Sequence, residues 1–322
     1  MNWWQILLIV VGVLLGIIFI ILPSIILPYA GKETVKMLHR CDNGMKGVKN
    51  MDVSFYDRGP TKKAASEGLV FMDEVGCSEV YITSYDGLRL QAYYFKNPKQ
   101  IGNRVLLGMH GFRSGPRHEF APYIENYFKL GYSLLLPCER AHYKSEGEYI
   151  TMGSKERYDV VSWCNYITSS LSSDCKILIH GISMGAATVC LSSSLDLPKN
   201  VIGIISDCGY SSFYDQLTYT MKQFKAPAGI FLRAIGYYTK KIGLDLRGEG
   251  PIDAVKNSKV PILFMHGEID EIVPVELSKR LYKACGNKKR LYIAPGANHA
   301  ESEASNKEAY FDVIKDFFKD SL

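Results

Sequence analysis

The pattern of hydrophobic and polar residues divides the chain into an uncharged N-terminal run and a longer body. Residues 1–31 contain no charged side chain, and residues 6–27 are almost purely Ile, Leu, Val, Phe and Gly. About 20 such residues cross a hydrocarbon core of about 30 Å. The pattern therefore predicts one transmembrane helix over residues 1–31.

The competing interpretation of this run is a cleaved signal peptide. No Lys or Arg precedes the run, which is longer than a typical signal core, and no A-x-A cleavage site follows it. An uncleaved single-pass anchor is therefore favoured. Lys32, Lys36 and Arg40 follow the run. The positive-inside rule then places the rest of the chain in the cytoplasm.

Beyond a mixed connecting arm at residues 32–75, residues 76–322 alternate short apolar runs with stretches of helical period. Strands are predicted at residues 79–83, 88–95, 104–109, 132–136, 176–179, 201–206, 260–265 and 290–293. Helices are predicted at residues 119–130 and 155–171 and again after residue 303. Short apolar strands separated by helices indicate an α/β fold, with a mostly parallel sheet covered on both faces. Ligands bind such sheets at the carboxyl ends of the strands.

Composition excludes several classes of function. Of the 322 residues, 47% are hydrophobic and 22% charged, which indicates a folded body. The net charge of +5 is mild, and no basic run predicts a nucleic-acid partner. The eight cysteines are scattered without a C-x-x-C pair, so free buried thiols are expected and no zinc site is. Because HExxH, P-loop and dinucleotide motifs are lacking, no metal or cofactor is predicted, and nothing indicates an obligate protein partner.

A candidate nucleophile follows the predicted strand at residues 176–179. Gly181-Ile182-Ser183-Met184-Gly185 is a G-x-S-x-G sequence between a strand and a helix. In this context the serine occupies a sharp turn that holds its hydroxyl above the sheet, and the small residues leave room for that turn. Ser183 is therefore the predicted nucleophile.

A serine hydroxyl needs a base to remove its proton, and the base needs an orienting acid. His299 lies in a loop just past the last strand, where the base belongs. His110, His180 and His266 each precede a glycine and are interpreted as structural, whereas His39, His118 and His142 lie in polar stretches without catalytic context. Asp270 follows the strand at 260–265 and is the favoured acid, with Asp207 as its rival. The order Ser183, Asp270, His299 is the one expected for this type of fold.

An oxyanion hole is predicted from two backbone amides. The amide of Met184 follows the nucleophile, and the amide of Phe112 lies in the loop after the strand at residues 104–109. Each such donor contributes roughly 3 kcal/mol to stabilising the negative charge formed during acyl transfer.

These motifs resemble the α/β-hydrolase superfamily, in the branch of serine aminopeptidases, monoacylglycerol lipases and related esterases. The resemblance rests on His110-Gly111-Phe112, on the G-x-S-x-G sequence, on His266-Gly267-Glu268-Ile269-Asp270 with Val273-Pro274, and on His299. Residues 139–147 also resemble the family's D-x-R-G-x-G-x-S-x-G turn, with Cys138 or Glu139 in place of Asp and Tyr143 in place of Gly. The resemblance implies an α/β-hydrolase fold with a helical cap at about residues 209–250.

The aromatic and aliphatic residues of this predicted cap are interleaved with Lys and Arg. Such a segment is suited to lining an apolar acyl pocket, to resting on a membrane surface, or to packing on the body. Together with the anchor, it favours a serine hydrolase that cleaves carboxylic esters of lipophilic or medium acyl groups through an acyl-enzyme. Its substrate would be a small molecule or a lipid. A serine peptidase of the aminopeptidase type and a non-catalytic scaffold are the alternatives.

Overall fold

The computed structural model describes residues 3, 6, 10, 11, 22–42 and 59–320. Most of the predicted anchor, residues 1–31, therefore lies outside the described residues, as do residues 43–58 of the predicted arm. Within the described part of the chain, no helix is both long enough and apolar enough to cross a membrane. Helix α1 spans Leu22–Met37 and helix α2 spans Gly59–Val75.

An eight-stranded sheet forms the centre of the molecule. Its strands follow one another in space in the order β1-β2-β4-β3-β5-β6-β7-β8. The β1–β2 and β2–β4 pairs are antiparallel and every later pair is parallel, which confirms the predicted mostly parallel sheet. The strands are β1 (Ser78–Thr83), β2 (Arg89–Phe95), β3 (Arg104–Met109), β4 (Tyr132–Pro137), β5 (Lys176–Ile182), β6 (Val201–Asp207), β7 (Ile262–Gly267) and β8 (Lys289–Ala294).

Helices cover both faces of the sheet. They are α3 (Pro116–Lys129), α4 (Glu156–Tyr166), α5 (Met184–Ser192), α6 (Phe213–Gln223), α7 (Ala228–Lys240), α8 (Pro251–Ala254), α9 (Val275–Ala284), α10 (Ser302–Ser305) and α11 (Lys307–Phe318). The helix predicted at 155–171 is α4 with a π-helical turn at Ile167–Leu171. Helix α3 begins three residues before the predicted start because Pro116 occupies its first turn, where a missing N–H costs nothing.

The apolar core lies in two layers because side chains alternate across each buried strand. On β5, Ile177 and Ile179 pack on one side of the sheet, and Leu178 and Ile182 pack on the other. All eight cysteines are free thiols, and only Cys77 is exposed. The carboxyl ends of β3, β5, β6, β7 and β8 meet along one edge, which is where the predicted site residues lie.

Helices α6 and α7 connect β6 to β7 and lie within the segment predicted as a cap. The inner side of α7 is buried through Leu232, Ile235 and Thr239. Helix α7 also packs against α1. A Cβ on Gly31 would lie 2.3 Å from the Tyr238 ring, so the glycine permits this close approach of the two helices.

Candidate active site

Ser183 occupies a strained turn between β5 and α5. Its backbone has φ 56° and ψ −114°, a conformation that side-chain-bearing residues rarely adopt. A Cβ on Gly185 would lie 2.1 Å from the Met109 carbonyl oxygen, and one on Gly181 would lie 2.2 Å from the Gly185 carbonyl oxygen. Both positions therefore require glycine. The Ser183 N–H donates to the Asp207 carbonyl at 2.9 Å, which ties the turn to the end of β6.

Ser183, His299 and Asp270 are brought together in one chain of hydrogen bonds. His299 Nε2 lies 2.9 Å from Ser183 Oγ, and His299 Nδ1 lies 2.7 Å from Asp270 Oδ2. With the proton of neutral His299 on Nδ1, that nitrogen donates to Asp270 and Nε2 accepts from the serine hydroxyl. This is the arrangement in which a histidine can remove the serine proton.

The carboxylate of Asp270 is held on both of its oxygens. Oδ1 accepts hydrogen bonds from the backbone N–H groups of Ile272 at 2.9 Å and Val273 at 2.8 Å. Oδ2 faces His299 and also lies 3.1 Å from His266 Nε2. His266, which the sequence suggested was only a turn residue, therefore contacts the candidate acid. The buried carboxylate is fixed in one orientation toward His299.

Asp207, the rival acid, binds other partners. Its carboxylate accepts hydrogen bonds from the Tyr310 hydroxyl at 2.8 Å and the Ser302 hydroxyl at 3.1 Å. These bonds join the end of β6 to α10 and α11. The geometry therefore favours Asp270 as the partner of His299.

Burial and two neighbouring groups act on the protonation of His299. Burial lowers the pKa of His299, but Cys208 and Asp270 raise it, and the net pKa lies well above the usual value. Burial raises the pKa of the Cys208 thiol to about 11, so the thiol is neutral near pH 7. Burial also opposes ionisation of Asp270, but the charge of His299 and hydrogen bonds from His266 and His299 outweigh burial and lower the pKa of Asp270. A charged Asp270 therefore stabilises the protonated form of His299.

Cys208, Asp270 and His299 also place three possible metal-ligand atoms within 4.8 Å of one another. Both nitrogens of His299 already have partners, Asp270 on one side and Ser183 on the other. A metal bound there would have to displace one of these hydrogen bonds. The group fits the role of a hydrogen-bonded relay better than that of a metal centre.

The segments that carry the predicted oxyanion donors lie side by side. Met184 is the first residue of α5, whereas Phe112 is in the loop after β3. Gly185 packs directly on the Met109 and His110 carbonyls, which holds the start of α5 against the end of β3. The amides of Phe112 and Met184 therefore belong to two segments in contact beside Ser183, and their role as oxyanion donors remains a prediction.

Two buried histidines hold the loop that contains Phe112. The rings of His110 and His142 meet edge to face with centroids 4.7 Å apart. His110 Nδ1 donates to the Gly111 carbonyl and its Nε2 accepts from the Glu139 N–H. His142 Nδ1 donates to the Arg140 carbonyl and its Nε2 accepts from the Arg113 N–H. Burial lowers the pKa of His110 to about 4 and that of His142 well below its usual value, so both rings are neutral near pH 7.

The turn after β4 has a positive φ at two residues that are not glycine. Ala141 and Tyr143 have φ of 61° and 48°, in the left-handed region where the related pattern has glycine. Arg140 fixes the turn, since its buried guanidinium donates to Asp159 at 2.7 Å and to Asp86 at 2.9 Å. The strained turn thereby places His142 in contact with the loop that contains Phe112.

Comparison with known proteins agrees with this geometry. Residues 143–322, more than half of the chain, match the model of the prolyl oligopeptidase family. The chain belongs to this family. It is 28% identical over 238 residues to the uncharacterized protein YqkD of Bacillus subtilis, covering 73% of this chain and 77% of YqkD. It is 25% identical over 240 residues to an uncharacterized membrane protein of Saccharomyces cerevisiae, covering 73% of this chain and 77% of the yeast protein.

Solved structures of other members of the superfamily resemble this protein. An esterase of Pyrococcus furiosus, Pf2001, superposes with a TM-score of 0.63 at 22% identity, covering 87% of this chain and 98% of the esterase. An acylaminoacyl peptidase of Pyrococcus horikoshii gives a TM-score of 0.56 at 19% identity, covering 79% of this chain and 43% of the peptidase. The family member described here therefore has the α/β-hydrolase fold of the serine hydrolases, as its sequence motifs predicted. Its structural neighbours include both esterases and peptidases.

Proposed function

We propose that this family member cleaves carboxylic esters through an acyl-enzyme formed on Ser183. The hydrogen-bonded chain from Ser183 through His299 to Asp270 is the observation that supports this proposal. His299 Nε2 takes the hydroxyl proton as Ser183 Oγ attacks the ester carbonyl carbon. The Phe112 and Met184 amides stabilise the resulting oxyanion.

The same histidine completes both halves of the reaction. Collapse of the first tetrahedral intermediate expels the alkoxide, which receives the proton from His299 and leaves as the alcohol. His299 then removes a proton from water, the hydroxide attacks the acyl-enzyme, and His299 returns the proton to Ser183 as the carboxylic acid leaves. Every bond that is broken is therefore balanced by one that forms, without a further reactant.

An apolar or lipophilic acyl group is suggested by the side chains around the nucleophile turn. Met184 belongs to a buried apolar cluster with Tyr210, Ile235 and Val273. Phe112 and the cap residues Phe213, Tyr214 and Leu217 pack on this cluster and are partly exposed. Alkyl chains bind such surfaces by removing apolar area from water, at about 25 cal/mol per Å².

Peptide hydrolysis is the second candidate, and family membership favours it. The same nucleophile, base and oxyanion donors would cleave an amide. A panel of acyl esters of increasing chain length, tested beside aminoacyl and acylaminoacyl amides, separates the two activities. The ester proposal predicts a higher kcat/KM for esters of medium or long acyl chains than for any amide.

Attachment to a membrane through residues 1–31 is part of the proposal. It is supported by the uncharged sequence of that segment and by the yeast relative, which is named a membrane protein. Lys32, Lys36 and Arg40 then place the catalytic body on the cytoplasmic side. Accessibility of an introduced glycosylation site or cysteine on either side of intact vesicles measures this topology.

Labelling of the full-length protein by a fluorophosphonate tests the nucleophile directly. We expect labelling of the wild type and none of Ser183→Ala, with both proteins folded by circular dichroism. A folded wild-type protein that neither reacts with the probe nor cleaves any ester or amide would instead support a non-catalytic scaffold.

A further inference from the structure

The outer surface of the cap is basic and apolar at once. Between Asp215 and Asp245 the chain has five basic side chains and no acidic one. This excess equals the net charge of the whole protein, +5. The five basic residues are Lys222, Lys225, Arg233, Lys240 and Lys241.

Large apolar side chains are exposed between these charges. Phe224, in the turn between α6 and α7, is 77% exposed, and Tyr237 and Ile230 on α7 are 63% and 55% exposed. The exposed residues Ile230, Arg233 and Tyr237 of α7 and Lys241, which caps its C-terminus, recur at helical spacing and therefore form one stripe. We call this stripe, together with the exposed residues 222–225 at the C-terminal end of α6 and in the turn that follows it, the cap face.

The cap face is turned away from the body of the protein. Neighbouring acidic side chains neutralise only part of its positive charge. The opposite side of α7 is buried through Leu232, Ile235 and Thr239. Lys240 pairs with Asp245 at 3.3 Å, and Lys241 lies 4.3 Å from the centre of the Tyr237 ring. Lys222, Lys225 and Arg233 lie on the exposed side without acidic neighbours in sequence, so they supply most of the positive charge of the face.

Helix α1 also exposes apolar and basic side chains, beside α7. It packs along α7, with Gly31 against Tyr238. Ile25, Ile26 and Tyr29 of α1 are exposed, and the exposed Lys32 and Lys36 follow them. The apolar end of α1 is thus the end that follows the uncharged run of residues 1–21. Nearer its other end Lys32 adds a positive charge, whereas Lys36 pairs with Glu33 at 2.5 Å.

We propose that the cap face docks on the surface of a bilayer that contains anionic lipids. Helices with Lys and Arg beside Phe, Tyr or Ile lie in the membrane interface because apolar side chains enter the headgroup region while the cations face lipid phosphates. Each basic residue near an anionic surface contributes roughly a fivefold factor in binding. Charge complementarity and the adjacent apolar N-terminus favour this occupant over a second protein.

Docking would orient the candidate active site toward the bilayer. The outer side of the cap would contact lipid, while its inner side packs on the apolar cluster around Met184. An apolar substrate would then pass from the bilayer along the cap to Ser183. This inference adds an interaction surface to the proposed ester hydrolysis, and it holds whichever bond the enzyme cleaves.

An environment-sensitive fluorophore on the cap face measures docking without using activity. Full-length Phe224→Cys, in a Cys77→Ser background that removes the exposed native thiol, is labelled with NBD and mixed with phosphatidylcholine vesicles that contain either no phosphatidylglycerol or 30% of it. Ile101→Cys is the matched control, because Ile101 is 54% exposed and lies before β3, at the amino end of the strand, whereas the site residues lie at the carboxyl ends. We expect a blue-shifted emission at position 224 only with the anionic vesicles, and none at position 101.

Charge reversal tests the electrostatic part of the proposal. Lys222→Glu/Lys225→Glu should weaken docking at position 224 by at least about 25-fold, because two basic residues each contribute about a fivefold factor. Lys96→Glu/Lys99→Glu, two exposed residues near Ile101, should change it by less than about twofold.

Three results would overturn the proposal. They are a water-like emission at position 224 with both lipids, an equal shift at positions 224 and 101, or a lipid-independent shift that rises with protein concentration and indicates a second copy of the chain.

Vesicle flotation in the same samples reports attachment through residues 1–31. Loss of flotation with neutral lipid contradicts the anchor, whereas the emission at position 224 still decides docking, and the ester panel decides catalysis.

Discussion

His142 Nε2 accepts a hydrogen bond from the backbone N–H of Arg113 at 3.2 Å. The bond joins the turn after β4 to the loop that carries the Phe112 amide. Arg113 has φ 55°, so the loop is bent sharply at the residue that His142 holds. His142 is therefore a positioning residue for one of the two candidate oxyanion donors.

Replacing His142 by Phe should lower kcat for ester hydrolysis by roughly 10- to 100-fold and leave KM within about twofold. The loop would lose the acceptor that fixes its amide, and a fully lost oxyanion donor costs about 10²–10³ in kcat. His142→Gln keeps an acceptor in reach of Arg113 and should recover much of the loss. Equal kcat values for the Phe and Gln variants, at equal thermal stability, would contradict the positioning role.

Asp270→Asn should lower kcat/KM by about 10³–10⁴-fold, because an amide presents the wrong hydrogen-bonding group to His299 Nδ1 and cannot stabilise its protonated form. Asp207→Asn is the matched control: its carboxylate binds Tyr310 and Ser302 rather than His299. Its kcat/KM should stay within about tenfold of wild type, although its melting temperature should fall. Hydrolysis of a short acyl ester by both variants decides between the two acids.

The pH profile of kcat/KM should show an acid limb with an apparent pKa above the usual histidine value of about 6.5. Only neutral His299 can accept the serine proton, so activity is lost as the pH falls through its raised pKa. Asp270→Asn removes the negative charge and should move this limb to lower pH. A limb that stays in place in the variant would assign the titration to another group.

Gly185→Ala should destabilise the protein by about 3 kcal/mol or more and abolish labelling of Ser183. The new Cβ would meet the Met109 and His110 carbonyl oxygens, which are backbone atoms that cannot move aside. Gly229→Ala is the matched change in a helix with open space around the Cβ, and it should stabilise by about 0.5–1 kcal/mol. Urea unfolding of both variants measures the difference.

Glu303→Gln should stabilise the protein at pH 8 by roughly 2–3 kcal/mol and have little effect at pH 4. Burial raises the pKa of Glu303 to about 7, whereas in the unfolded chain it is about 4.3. The contribution of its protonated form is complete below pH 4.3 and is lost as the pH rises through 7. The exposed Glu308→Gln should leave the pH dependence of stability unchanged. The same result for Glu303→Gln would contradict a raised pKa of Glu303 in the folded protein.

Local sequence patterns predicted the strands and the nucleophile turn because these depend on nearby residues. Short apolar runs bounded by glycine gave β3, β5 and β7, and the G-x-S-x-G spacing predicted the turn at Ser183. The boundaries were less accurate. Strand β5 extends to Ile182, three residues past its predicted end, because His180, Gly181 and Ile182 pair with β6. This pairing depends on a strand that lies elsewhere in the chain.

Long-range contacts escaped prediction. His142 lies in a polar stretch, and its partner Arg113 is 29 residues away, so no local signal indicated its role. The partners of Asp207 were likewise hidden, since Tyr310 is 103 residues distant. One signal was available: the family pattern that residues 139–147 resemble has glycine at the positions of Ala141 and Tyr143, and glycine favours a positive φ on either side of His142.

The hydrogen bond between His299 and Ser183 spans 116 residues. The nucleophile turn is synthesised long before its base, and His299 itself is followed by the 23 residues up to Leu322, which include α10 and α11. During translation Ser183 therefore has no partner to remove its proton. Under the proposed mechanism, a chain that stops before His299 would hold the nucleophile turn but could not cleave an ester, so activity would depend on the last part of the chain to be synthesised.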